Sequence, residues 1–149
     1  MSITVRLEKQ RLDPREELGA LLDEAVDAGA VVSFVGIVRR EAGKVEQLVL
    51  EHHSTLTERS LEGLAAAATE QFDVSHIRVV HRCGEVAAGE PIVFAGAASA
   101  HRRAAFEAAD YLMDRLKTEA VLWKREEGQA GVKWIEPSEA DYRERERWD

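Results

Sequence analysis

The chain has one cysteine among its 149 residues, Cys83, so it can form neither an internal disulfide nor a cysteine-based zinc cluster. A lone thiol also fits a reducing compartment. No run of about 18 apolar residues occurs, which excludes a hydrophobic membrane-spanning helix. The first ten residues, MSITVRLEKQ, lack the apolar core of a secretory signal, so the expected location is the cytoplasm. Positive charge is also scarce. Twenty Lys and Arg stand against 28 Asp and Glu, for a formal net charge of -8. Such a balance argues against general nucleic-acid binding, which needs a cationic surface to release counterions. There is no glycine-rich phosphate loop, no nucleophile elbow and no dinucleotide fingerprint. The five histidines, His52, His53, His76, His81 and His101, show no i, i+4 pairing. Neither a metal nor another cofactor is therefore expected.

What is present is an ordinary soluble composition, 45% hydrophobic and 32% charged. A chain of this length reads as a single domain, residues 1 to 149, with one core. Residues 3 to 7 alternate as a strand. Asp13-Pro14 starts a helix, with Asp as N-cap and Pro in the first turn, and Gly29 is its expected end. Residues 30 to 38 (AVVSFVGIV) read as a core strand ending in Arg39-Arg40, and Glu41 to Lys44 as a turn. Residues 45 to 52 form the next strand. Thr55 and Glu58 have capping-box spacing before a helix carrying Leu61, Leu64 and Ala68 inward. Residues 76 to 83 alternate again, and Gly84 to Glu90 reads as a turn-rich connection. The small apolar run from 91 to 98 predicts a strand covered on both faces.

Ser99 is the expected cap of a long helix from about residue 100 to 118, with Ala105, Ala109, Leu112 and Leu116 as its core stripe. Residues 120 to 126 and 131 to 135 read as a hairpin, and the charged stretch from 138 to 149 as a peripheral or frayed tail. Strands and helices mix without strict βαβ alternation, so the expected class is α+β.

The chemistry concentrates around the long helix. His101-Arg102 lies at its start, where a histidine, an arginine and unpaired backbone N–H groups can cradle an anion. Lys117 lies at its end and Lys124 in the strand that follows. Two neighbouring lysines depress each other's pKa and can leave an amine able to accept a proton. Spacing alone favours the plainer reading of two solvated lysines, one of them favoured at a helix C-terminus by its dipole. Arg39 ends a core strand, where side chains often line a cleft; taken alone it reads as a surface charge. His81 and Cys83 share a strand face and could form a thiol–imidazole pair, although a buried small thiol is the simpler reading.

Several separated motifs then agree: GAVVSFVGIVR from Gly29 to Arg39, Leu50-Glu51-His52, His81-Arg82-Cys83-Gly84-Glu85, Ser99-Ala100-His101-Arg102, Met113-Asp114-Arg115-Leu116-Lys117 and Trp123-Lys124-Arg125-Glu126. Together, over residues 29 to 136, they resemble the large, catalytic subunit family of molybdopterin synthase. The resemblance implies an α/β hammerhead-type single domain with a mixed or antiparallel sheet and flanking helices. It implies a sulfurtransferase of molybdenum cofactor biosynthesis whose substrate is cyclic pyranopterin monophosphate. The sulfur donor would be a small ubiquitin-like carrier with a C-terminal Gly-Gly thiocarboxylate. The assembly would be a homodimer within a heterotetramer.

Carried over, Lys117 and Lys124 match the family's catalytic lysines, Arg39 its pocket arginine, and His101 and Arg102 its anion-binding pair. Two departures stand out. Val121 replaces a frequent proline, which implies a less rigid backbone before Trp123. Glu136-Pro137-Ser138 stands where some members carry an arginine contributed across the dimer. The alternative reading is a non-catalytic subunit that grips a ubiquitin-like tail or a nucleotide-like anion; the presence of two lysines favours the enzyme.

Overall fold

The small apolar run from 91 to 98 lies within the longest strand of the fold. In the computed structural model, which describes residues 2–40, 45–129 and 131–149, it becomes β6 (Pro91–Ser99), buried from Val93 to its end. Around it are β1 (Ser2–Glu8), α1 (Pro14–Glu24), β2 (Ala30–Ile37), β3 (Gln47–His52), α2 (Leu56–Gln71), β4 (His76–Arg82) and β5 (Gly84–Ala87). After it come α3 (Arg102–Glu119), β7 (Leu122–Gly128), β8 (Gly131–Ile135) and α4 (Glu139–Glu146). The expected turn at Glu41 to Lys44 lies outside the described residues.

Two four-stranded sheets result, ordered β1-β4-β6-β2 and β5-β3-β7-β8. In the first, β6 runs antiparallel to both neighbours and β1 runs parallel to β4. The second is antiparallel throughout. The architecture is the mixed α+β domain expected.

Helices cover both faces of the first sheet. On one, Leu21 of α1 packs with Leu12, Val80, Phe94 and Ala98. On the other, Leu61 and Leu64 of α2 and Leu112 and Leu116 of α3 pack on Ile77, Val79, Ala95 and Ala97. Fully burying one such leucine contributes roughly 1.5–3 kcal/mol, so Leu112 and Leu116, both essentially buried, fix the second half of α3 on the sheet. β2 is an edge strand rather than a fully covered one: Ser33, Phe34 and Ile37 are exposed.

The caps show where tertiary context overrides local pattern. Asp13 caps α1 as expected, accepting from the Arg15 amide at 3.0 Å. That helix ends at Glu24, before Gly29. Gly29 serves a different purpose: a Cβ there would lie 2.1 Å from the Ala100 carbonyl oxygen, and its N–H donates to Ser99 O at 2.9 Å. Thr55 makes no side-chain cap to α2. Instead the His53 ring accepts from the Thr55 and Leu56 amides at 3.2 and 3.1 Å through Nδ1. Ser99 does not cap α3. It is buried as the last residue of β6, its hydroxyl donates to the His101 carbonyl, and His101 takes the N-cap position without a side-chain bond.

The connection expected from Gly84 to Glu90 contains β5, with positive φ at Gly84, its first residue, and at Gly89 beyond its end. Residues 138–149 hold α4, opened by a Ser138–Asp141 capping box. Trp148 beyond it packs edge-on against Phe72 and Tyr111 at 5.5 and 5.7 Å, and its indole N–H donates to Asp114 at 2.7 Å.

Candidate functional site

A cavity of about 390 Å³ opens where the two sheets meet beneath the last turn of α3. Arg39, Lys117, Lys124, His81 and Glu126 supply its polar wall, and Phe34, Ile92, Met113 and Leu116 much of its apolar wall. Each arrives by simple periodicity. The buried stripe of α3 ends on Leu112 and Leu116, so Met113 and Lys117, one position on, face the cavity. Lys124 pairs across the second sheet with Leu50 and Ile135; strand alternation puts Glu126 on its face and Trp123 and Arg125 on the other. Arg39 follows the end of β2.

The segment joining α3 to β7 is pinned to α2. Thr57, fully buried, donates its hydroxyl to the Val121 carbonyl at 2.5 Å and accepts from the His53 amide at 2.9 Å. The Val121 N–H donates to the Ser60 hydroxyl at 3.0 Å. A proline at 121 could not make that last bond. Val121 thus replaces the stiffness of a proline ring with hydrogen bonds on both sides of the residue, and the backbone before Trp123 is not left loose.

The lysine pair carries the electrostatics. Burial pushes the Lys124 ammonium down to about 8, the nearby charge of Lys117 adds to the effect, and Asp141 opposes it. A second recess of about 220 Å³ lies on the other side of the pair, between Lys117, Lys124, Glu136, Asp141 and Tyr142. The lysines therefore stand between two openings. The first is largely apolar and faces Arg39; the second is flanked by carboxylates.

The structure brings Lys117, Lys124 and Arg39 into one cavity, but it does not bring His101 and Arg102 there. These two stand exposed at the opposite end of α3. Fifteen residues separate Arg102 from Lys117, about 22 Å at the helical rise of 1.5 Å per residue.

His81 is the residue that sequence reading placed least well. Sequence pattern sets it beside Cys83 on one strand face, yet Cys83 lines a separate recess with Lys9, Val49 and His52, and burial pushes its thiol up. The usable signal is alternation along β4: Ile77, Val79 and His81 share the face covered by α2 and α3. Among the described residues no three His, Cys, Asp or Glu side chains converge as metal ligands, and no helix is long and apolar enough to cross a membrane.

Comparison with known proteins gives consistent matches. Residues 7–119 match the model of the family described as MoaE protein. The chain is 41% identical over 149 residues to the molybdopterin synthase catalytic subunit of Pseudomonas aeruginosa, covering 99% of each sequence. Among solved structures, a molybdopterin biosynthesis MoaE protein from Burkholderia ambifaria superimposes with a TM-score of 0.84 at 34% identity, covering 98% of this chain and 97% of that one. A protein–protein complex of subunits 1 and 2 of molybdopterin-converting factor from Helicobacter pylori contains a chain similar at a TM-score of 0.74 and 26% identity, with 91% and 90% covered.

Proposed function

The chain belongs to the MoaE family of molybdopterin biosynthesis, and we propose that it transfers sulfur from the C-terminal thiocarboxylate of a small ubiquitin-like subunit to cyclic pyranopterin monophosphate, forming the dithiolene of molybdopterin. The observation that carries this reading is the lysine pair at the junction of two openings, with one amine pushed down to about 8.

Both reactants are anionic, so cations must converge on them. Arg39 and Lys117 provide fixed positive charge in a partly apolar cavity, where it counts for more than in water. The spent carrier tail must be released by hydrolysis of an acyl intermediate, and that step needs a proton acceptor near the attacking water. Lys124, close to half deprotonated near pH 8, can take that proton and return it to a leaving group. A Gly-Gly tail is slim enough to thread toward the pair in extended form. The Helicobacter pylori complex supports a small-subunit partner for this chain.

His101 and Arg102 lie too far along α3 to reach the cavity of their own chain. In a homodimer with twofold symmetry they serve the cavity of the second copy, completing the phosphate site from outside. The test is a product assay with purified chain, cyclic pyranopterin monophosphate and a thiocarboxylated carrier. Dithiolene formation that requires all three components supports the reading; tight carrier binding without product would reassign the chain to tail binding alone.

A further inference from the structure

His81 is a buried titratable group in the cavity wall to which the mechanism above gives no task. Its Nδ1 lies 2.7 Å from the Arg82 carbonyl oxygen. A carbonyl only accepts, so Nδ1 carries the proton and Nε2 keeps a lone pair. No hydrogen bond to Nε2 forms among the described residues. Around the ring the wall is apolar: Val93 pairs with His81 across β4 and β6, and Ile92 and Leu116 complete the lining. The charged groups sharing the cavity are Arg39 after β2, Lys117 on α3, and Lys124 and Glu126 on β7. Arg39 and a protonated lysine can only donate, and Glu126 accepts as a full charge. His81 therefore supplies a neutral acceptor set in a hydrophobic surface.

We propose that His81 determines substrate specificity, with Nε2 accepting a hydrogen bond from a ring N–H of the pterin while the cations hold the phosphate. The inference rests on the substrate reading given above. A reduced pterin carries N–H groups on both fused rings, and a ring pressed on an apolar wall needs an acceptor for any N–H it buries there. The acceptor must stay neutral, because an imidazolium would offer N–H to N–H. Burial and the charges of Lys124 and Lys117 push His81 down to about 4, so the ring stays neutral across the physiological range. Specificity built on a hydrogen bond to a buried group discriminates strongly, since the wrong ligand leaves that group unpaired.

The experiment compares two variants of the full chain on two probes, cyclic pyranopterin monophosphate and ribose 5-phosphate, by calorimetry. H81N keeps an amide donor close to the position of Nδ1 and removes the acceptor at Nε2. H81Q reaches further and places a carbonyl near Nε2. The proposal expects H81N to bind the pterin phosphate about tenfold more weakly with ribose 5-phosphate unchanged, and H81Q to recover pterin affinity. A purely structural His81 predicts the reverse, with H81N near wild type and H81Q impaired. Wild-type pterin affinity in H81N overturns the proposal, and so does equal weakening on both probes. If H81N loses its cooperative unfolding transition, H81Q decides alone: near-wild-type pterin affinity supports the proposal and a tenfold loss overturns it. Failure of the wild-type chain to bind the pterin phosphate would overturn the substrate reading itself, an outcome distinct from wild-type binding that H81N leaves untouched.

Discussion

At its C-terminal end α3 places Lys117 in a cavity beside Lys124, Arg39 and His81, while at its N-terminal end His101 and Arg102 stand in solvent with no side-chain partner among the described residues. Both ends carry cations against the overall charge of the chain. The difference lies in what meets them. The last turn runs over the seam between the two sheets, where β7 brings a second, buried amine that feels the charge of Lys117. The first turn follows the end of β6 and sits by the start of β2. A cluster of basic residues in sequence is therefore two different objects: cations gathered in a cavity at one end, and a solvent-exposed pair at the other.

The comparison can be broken most directly at Lys117. Lys117→Ala should lower product formation by at least about a hundredfold, the lower range for a proton-transfer or charge-stabilising group. The side chain is exposed and alanine is favourable in a helix, so the thermal midpoint should barely move. Turnover within tenfold of wild type would mean that the C-terminal end of α3 is not the reacting end.

Lys124 tests whether burial is what sets that end apart. Its folded-state pKa of about 8 lies below the ordinary lysine value of 10.5. Between those values the unfolded chain binds more protons, so stability should rise with pH from about 8 toward 10.5, and the full penalty applies below 8. A shift of this size corresponds to at most about 3 kcal/mol. Lys124→Met should therefore stabilise the protein at pH 7 by about 1–3 kcal/mol while abolishing activity, and the gain should shrink by pH 10. Urea unfolding at the two pH values measures it. An unchanged or lower stability at pH 7 would remove the strained-amine picture. Wild-type turnover should climb through pH 8 as Lys124 loses its proton.

At the other end, Arg102→Ala should weaken binding of the pterin phosphate by about tenfold or more, the worth of one charged hydrogen bond, with no change in thermal stability. Unaltered affinity would take the N-terminal end of α3 out of the substrate site altogether.

The sharpest version of the comparison mixes the two lesions. Light scattering should give twice the 16.6 kDa chain mass. If the N-terminal pair serves a neighbour's cavity, a mixed dimer of Lys117→Ala and Arg102→Ala chains has one cavity with both defects and one with neither. Random pairing should then restore about a quarter of wild-type activity. Recovery no greater than the sum of the parent variants would place all the working groups within one chain.

Much of this was legible in sequence where a feature is local. The small apolar run of β6, the Asp13-Pro14 start of α1 and the hairpin of β7 and β8 follow from period, cap and turn chemistry within a few residues. Thr55 takes the expected N-cap position of α2, but the His53 ring accepts from the amides there, and Ser99 is held in β6 so that His101 caps α3; only the folded chain decides such competitions. Lys117 and Lys124 are ambiguous by spacing; it was the likeness of whole motifs to a family that singled them out. His81 and Phe34 stayed hidden for another reason. Their cavity is assembled from strands of both sheets and the end of a helix, and no window of sequence contains that wall.

Gly29 and Ala100 form a joint without clearance. The carbonyl of Ala100 occupies the space where any other residue at 29 would carry its β-carbon, so the first turn of α3 is seated against the entry to β2 with no play. α3 is one helix from Arg102 to Glu119, so the element seated here is the one that carries Lys117 near its other end. A methyl group added at Gly29 would have to move that seat, at the far end of the helix from Lys117. The absence of one carbon atom at position 29 is thus what lets the start of α3 close on the entry to β2.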